Sequence, residues 1–151
     1  MEGIIIMKIS LGCDHGGLEL KNKIKDHLLS LGHEVLDCGT YSSESCDYPL
    51  FAIKAAEAVV NKKANLGILV CTSGEGIMMA ANKVKGIRCA VGYCEEVAHF
   101  ARLHNDANMI SFGQKYMDHD MVLRAVDEFI TTDFEGGRHL RRVNLIKDLE
   151  K

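Results

Sequence analysis

Short apolar runs alternate with helically spaced apolar residues from one end of the chain to the other. Lys8–Cys13 (KISLGC) reads as a first strand; Leu20, Ile24, Leu28 and Leu31 then fall on one helical face, with Gly32 as the stop. A second strand is expected over residues 34–38. Pro49, the only proline, predicts a helix opening there and running to about residue 61, because a proline at the first helical position loses no helical hydrogen bond. Leu66–Cys71 (LGILVC) is apolar throughout, as a strand buried on both faces should be. The pattern continues with a helix over 76–83, a strand over 88–92, a helix over 95–104 and a strand over 109–112. Val122, Ala125, Val126, Phe129 and Ile130 form the stripe of a further helix, and a charged helix is expected from Arg138 to the C-terminus. Repeated βα units of this length predict an α/β fold, a parallel sheet with helices on both faces. No repeat, linker or low-complexity segment divides the chain, so residues 1–151 are read as a single domain.

The bulk numbers narrow the classes of function. A length of 151 residues, with 47% hydrophobic and 26% charged, is ordinary for one globular domain. A net charge of -3 and the lack of a long basic run give no support for a nucleic-acid partner. No apolar stretch approaches the roughly 20 residues needed to cross a bilayer, so no membrane role is expected. The start MEGIIIMKIS lacks a basic n-region and a cleavage site; Met7 is read as the natural start and residues 1–6 as an extension. Cys13, Cys38, Cys46, Cys71, Cys89 and Cys94 read as reduced thiols of a cytoplasmic protein. There is no CxxC pair and no Cys/His spacing of a metal site.

Chemistry enters with GILVCTSGEGIMMAANK, residues 67 to 83. Cys71 ends a strand, and the loop Thr72-Ser73-Gly74-Glu75-Gly76 leads into a helix. Ligands of open α/β sheets bind beyond the carboxyl ends of the strands. Inward-turned amides and a helix N-terminus there suit an anion, either a phosphate or an oxyanion formed during reaction, and the same field favours a thiolate. A buried cysteine ending a strand before a tight glycine turn accounts for the same letters without chemistry. The phosphate-loop pattern GxxxxGK[ST] is absent, Met79 stands where a dinucleotide fingerprint needs glycine, and Ile77 stands where a cysteine phosphatase needs arginine. A thiolate beside an oxyanion cradle without a nucleotide signature suits proton abstraction next to a carbonyl.

Other polar clusters accompany this loop. Asp14-His15-Gly16-Gly17 follows the first strand and so lies at the same sheet edge as Cys71, although a capping Asp beside a surface His would give the same letters. His104, Asn105 and Asp106 sit at a helix end. Arg138 and Arg142 share a helix face, as a phosphate clamp or as a solvated charged surface. The helix before His104 should descend about 15 Å from the upper edge over ten residues. That places His104 near the lower edge, too far to share a ligand with Cys71 of the same chain.

Taken together, GCDHGG, DYP, ILVCTSGEGI, AANK, GIRCAV, HNDAN and EGGRH resemble the type B ribose-5-phosphate isomerases, which share a family with the allose- and galactose-6-phosphate isomerases. The resemblance covers nearly the whole chain from Met7. It implies a Rossmann-like five-stranded parallel sheet in three layers, a homodimer often paired into a tetramer, and aldose–ketose isomerisation of a sugar phosphate with no metal or cofactor. By matching position, Cys71 would be the base, and Ser73 with the amides from Thr72 through Gly74 and Glu75 to Gly76 would hold the enediolate. His104 would open the sugar ring; Asp14, Tyr48 and Asn105 would contact the sugar; His15, Arg138 and Arg142 would surround the phosphate. Three departures stand out. Thr72 replaces a common Gly, Lys115 replaces a frequent Arg and weakens a bidentate phosphate grip, and Ile77 stands where some relatives carry a Glu base. Glu75 is read as a solvated loop charge. Ribose 5-phosphate is the leading substrate, a 6-phosphohexose the alternative, and a non-catalytic sugar-phosphate-binding subunit the remaining class. If Cys71 and His104 serve one substrate, the active sites are shared between two subunits.

Overall fold

The computed structural model describes residues 5–150; residues 1–4 of the expected N-terminal extension lie outside them, as does Lys151. Five strands, β1 (Lys8–Cys13), β2 (Glu34–Asp37), β3 (Leu66–Cys71), β4 (Cys89–Val91) and β5 (Met109–Gly113), form one parallel sheet in the order β2-β1-β3-β5-β4. The connections are α1 (Leu18–Ser30), α2 (Tyr48–Val60), α3 (Glu75–Ala81) and α4 (Glu95–Leu103), followed by α5 (His119–Thr131) and α6 (Arg138–Asp148). Alternation along the strands divides the core in two. Ile9, Leu11, Ile68, Val70, Ile110 and Phe112 face α1, α4 and α5, whereas Leu69, Cys71 and Met109 face α2 and α3. The result is a three-layer α/β fold, with β3 buried along its whole length as its apolar run predicts.

The α2 face is built for close approach. A Cβ on Gly12 would sit 2.8 Å from the Phe51 carbonyl oxygen and 3.2 Å from Ala55 Cβ. Ser10 Oγ donates to the Ala55 carbonyl at 3.0 Å, and α2 correspondingly buries Ala52, Ala55 and Ala56. Pro49 lies in the first turn of α2, one residue inside the start. No described helix is long and apolar enough to cross a membrane.

Several boundaries move. Leu31, expected on the buried stripe, is exposed, because α1 ends at Ser30 and Leu31 caps it, its amide reaching the His27 and Leu28 carbonyls. Gly32 then takes φ +88°, the left-handed turn that stops the helix. The second strand stops at Asp37 rather than at 38, and the fourth spans only Cys89–Val91. The helix after Cys71 is shorter than the expected 76–83 at its end, closing at Ala81.

Candidate active site

The winding reverses between β1 and β3: α1 carries the chain from β1 to β2 on one face, and α2 returns it past β1 to β3 on the other. Such a switch point opens a crevice at the carboxyl ends of the strands. Asp14 and Cys71 stand at the mouth of this one. Asp14 is buried and its Oδ1 accepts from the Gly16 amide at 2.9 Å, capping the short 3-10 turn His15–Gly17. That turn abuts the cysteine loop, since a Cβ on Gly16 would collide with Thr72 Oγ1 and one on Gly17 with the Val70 carbonyl. Tyr48 completes the wall, its ring lying where a Cβ on Gly76 would be. Asp14, Cys46, Asp47, Tyr48, Pro49 and Leu50 line an open cleft of ≈ 510 Å³ on this side.

The cysteine loop is held by its own backbone. Gly74, at φ +85°, turns its amide onto Cys71 Sγ at 3.1 Å, and its carbonyl accepts from the buried Ser111 Oγ at 2.8 Å. A Cβ there would meet the Phe112 carbonyl carbon at 2.9 Å, so the turn needs glycine both for space and for φ. The Glu75 amide caps onto Ser73 Oγ at 3.2 Å. Of the cradle expected from five amides, those of Thr72, Ser73 and Gly76 therefore remain without a backbone or side-chain acceptor among the described residues, while Gly74 serves the sulfur and Glu75 the Ser73 hydroxyl. Thr72 fits the turn without strain at the position where glycine is common, its φ not being in the left-handed range. Lys115 belongs to this edge too: its amide donates to the Thr72 carbonyl at 3.1 Å, and its Nζ lies 5.5 Å from the Tyr116 ring centre. His15 is exposed and accepts the Cys46 amide on Nδ1 at 3.2 Å, which leaves Nε2 as its donor nitrogen. Glu75 is exposed, as expected of a solvated loop charge.

The other expected residues gather elsewhere. His104 caps the end of α4, and Asn105 follows it with its carbonyl 3.3 Å from Arg88 Nε, just before β4 begins. Cys71, by contrast, pairs with Gly113, the last residue of β5. The five residues of β5, roughly 13 Å of strand, thus separate the two groups. Asp106, at φ +48°, turns the chain into β5 and is held by Arg102 at 3.0 Å and Arg88 at 3.3 Å. Arg138 and Arg142 are exposed on α6, and neither makes an ion pair among the described residues. The start of α6 reaches His104 directly, because His139 stacks on it with ring centres 4.1 Å apart and planes at 11°.

Sequence reasoning missed two members of this lower group. Glu135 Oε2 lies 3.6 Å from His104 Nε2 and 3.4 Å from His139 Nε2. No spacing along the chain announces the trio, because His104 stands more than thirty positions before its neighbours. The one available signal was the four-residue interval between Glu135 and His139 beside Arg138. Burial of His139, with the charge of His104 and of the two arginines, holds its imidazole below the ordinary range, and only Glu135 opposes this.

Comparison with known proteins bears on the family and the fold. The family model described as Ribose/Galactose Isomerase matches residues 9–146. The chain is 44% identical over 146 residues to the Escherichia coli (strain K12) protein named ribose-5-phosphate isomerase B, covering 95% of this chain and 97% of that one. It is 42% identical to the Mycobacterium leprae (strain TN) protein of the same name, covering 96% and 91%. Among solved structures, ribose-5-phosphate isomerase B of Clostridium thermocellum superposes with a TM-score of 0.94 at 46% identity, covering 95% and 97%. The Mycoplasma genitalium protein, solved with bound ribulose-5-phosphate, superposes at 0.90 with 39% identity, covering 95% of each chain.

Proposed function

Because the chain belongs to the ribose/galactose isomerase family, we propose that it interconverts ribose 5-phosphate and ribulose 5-phosphate through an enediolate, with Cys71 as the base. The observation that carries this reading is the amide of Gly74 donating to Cys71 Sγ at the switch-point crevice, with Asp14 and Tyr48 on its wall. The Cys71 thiolate takes the proton from C2 of the open-chain aldose. The electron pair forms the C1–C2 double bond, and the carbonyl π electrons move onto O1. The free amides of Thr72 and Ser73 and the Ser73 hydroxyl meet that negative charge. Return of the proton from the Cys71 thiol to C1, with transfer of the O2 hydroxyl proton to O1, gives the ketose and restores the thiolate. Asp14, Tyr48 and Asn105 hold the sugar hydroxyls, while His15, Arg138 and Arg142 take the phosphate. Glu75 lines, with Ser73, Tyr93 and Tyr116, a further cleft of ≈ 490 Å³ beside the cysteine loop, with Lys115 next to Tyr116 in the chain.

His104 opens the furanose ring, protonating the ring oxygen while the anomeric hydroxyl proton leaves. Its place at the far edge of the sheet supports a second, two-fold-related copy as the source of this histidine. The surface supports a homodimer. β4 is one of the two edge strands, and beside it Ile87, Ala107, Ile146, Leu149 and Asn105 line an open groove of ≈ 450 Å³. Leu145, Ile146 and Leu149 of the last helix region are exposed and apolar. A copy seated there would lie against Asn105, next to His104. The reading is of one sugar-phosphate isomerase domain, cytoplasmic, with all six cysteines as free thiols. The test is kcat/KM of the purified protein on ribose 5-phosphate and on allose 6-phosphate. The pentose should be preferred; preference for the hexose would reassign the substrate, and turnover of neither would remove the isomerase reading.

A further inference from the structure

We propose that His104, Glu135 and His139 form a site for a first-row transition-metal dication, with Zn²⁺ as its probe, and that occupation of this site blocks the isomerase. The three donor atoms lie within 4.8 Å of one another. The two histidine–carboxylate distances, 3.6 and 3.4 Å, are close to the edge of a tetrahedron with bonds of about 2.05 Å, which is about 3.4 Å. Two imidazoles and one carboxylate fill three positions and leave a fourth open to water or ligand.

The fold builds this trio from two segments. The amide of Glu135 donates to the Leu103 carbonyl at 2.9 Å, which fastens the segment before α6 to the end of α4 beside His104. Gly136 and Gly137 both take positive φ, so the chain doubles back between Glu135 and His139 and their side chains meet. His139 is nearly buried, so its ring is held by the surrounding packing beside the other two donors. Because each lone pair lies in its own ring plane, metal binding requires the two rings to rotate out of their near-parallel stack so that both planes pass through one ion. Arg138 and Arg142 oppose any cation by charge alone. Magnesium and calcium, which need six or more oxygen ligands, find one carboxylate here and are excluded. Zinc, copper and nickel favour imidazole.

The blocking effect rests on the reading that His104 serves the reaction, because the metal occupies its Nε2; the site itself does not rest on it. The test uses chelator-dialysed full-length protein carrying Cys71→Ala, so that the crevice thiol does not compete, and measures Zn²⁺ affinity against a chromophoric chelator and the visible bands of bound Co²⁺. One ion per chain is expected, with affinity falling at least about 100-fold on Glu135→Gln and on His139→Gln. Glu135 is exposed, so its variant leaves the fold intact even if the His139 variant does not. Equal affinity with and without Glu135→Gln would overturn the site. In the protein with Cys71 intact, Zn²⁺ should inhibit turnover reversibly by EDTA, and the inhibition constant should rise in Glu135→Gln by the same factor as the affinity falls. Binding that depends on Glu135 without inhibition would leave the metal site standing but overturn its blocking effect, and with it the role of His104 in the reaction.

Discussion

The two edges of the sheet carry two kinds of polar surface. At the upper edge, functional groups emerge from strand ends, and most are tied inward: Asp14 to the Gly16 amide, Cys71 to the Gly74 amide, Ser73 to the Glu75 amide. Under them lies a fully buried lysine, Lys21, bound to Asp37 at 2.9 Å and to the Thr40 carbonyl at 2.7 Å. At the lower edge the groups come from helix ends, and Arg138 and Arg142 stand in solvent without carboxylate partners among the described residues. The first arrangement fixes atoms in place before a ligand arrives, as proton transfer requires. The second leaves positive charge unsatisfied, as capture of a phosphate requires. The upper edge holds the proton-transfer base, and the lower edge carries the phosphate-capturing arginines beside the ring-opening His104.

The sharpest way to break that division is at the thiol. Cys71→Ala should lower kcat by about 100- to 10,000-fold, the usual loss on removing a general base, while substrate affinity by calorimetry stays near wild type. A variant that keeps its rate would assign the base to another residue, and a variant that loses binding would mean that the thiol itself helps to hold the ligand.

The edges should differ in stability as well. Lys21→Met strands Asp37 and the Thr40 carbonyl; because Lys25 still reaches Asp37 at 3.4 Å, the expected cost is about 3 kcal/mol, the lower end for a broken buried ion pair. For a chain of this size that is on the order of 10 °C in Tm. Arg142→Ala, at an exposed site, should stay within about 0.5 kcal/mol of wild type. Equal shifts in the two melting curves would remove the contrast.

The alkaline limb of stability should draw on both edges, because burial raises the thiol of Cys13 at the end of β1 and that of Cys89 at the start of β4; the first can be tested by itself. Burial pushes the Cys13 thiol from 9.0 up to about 11, with the charge of Lys21 opposing. Above pH 9 the unfolded chain releases this proton while the folded chain keeps it. Stability is therefore complete below pH 9 and falls as pH rises toward 11, by about 2 to 3 kcal/mol. Cys13→Ala should flatten the fall in urea midpoint between pH 9 and 11. An unchanged slope would assign it to other groups.

What the letters disclosed and what they hid follow the same division. The upper edge is local in sequence: Cys71 through Gly76 is one loop after an apolar strand, and Asp14-His15 follows another, so strand periodicity places both at one edge. Even there, the pairing of the Gly74 amide with the sulfur could not be read, because it depends on a positive φ fixed by Phe112 and Ser111 from another strand. The lower edge is assembled by tertiary packing. His104 could be placed there by counting helix length, but its stacking on His139 depends on how the segment after α5 returns to α4. Leu31 failed for a local reason, since helical periodicity continues one residue past the point where Gly32 ends the helix.

Smaller effects test the lower edge itself. Arg138→Ala and Arg142→Ala should each raise KM for the phosphorylated sugar by about 10- to 100-fold, the range for a lost charge-assisted hydrogen bond, with a lesser effect on kcat. Wild-type kinetics in both variants would return these arginines to a merely solvated helix face.

The smallest expected signal is the most direct test of whether the two edges meet. Cys71 ends β3 at the upper edge, and His104 lies beside the start of β4 and β5 at the lower one, so a sugar bound at Cys71 is out of reach of the same chain's His104. Joining them requires a two-fold operation that brings the lower edge of one copy onto the upper edge of another. Cys71→Ala and His104→Ala proteins, each inactive alone, are then complementary. After random subunit exchange in an equal mixture, half of the dimers contain one chain of each kind. Such a dimer has one site that combines both alanines and one that combines the intact cysteine with the intact histidine. Half the dimers with half their sites working gives about a quarter of wild-type activity. Exchange verified by mass spectrometry with no recovered activity would mean that no site draws Cys71 and His104 from different chains, and the two edges would have to serve separate ligands.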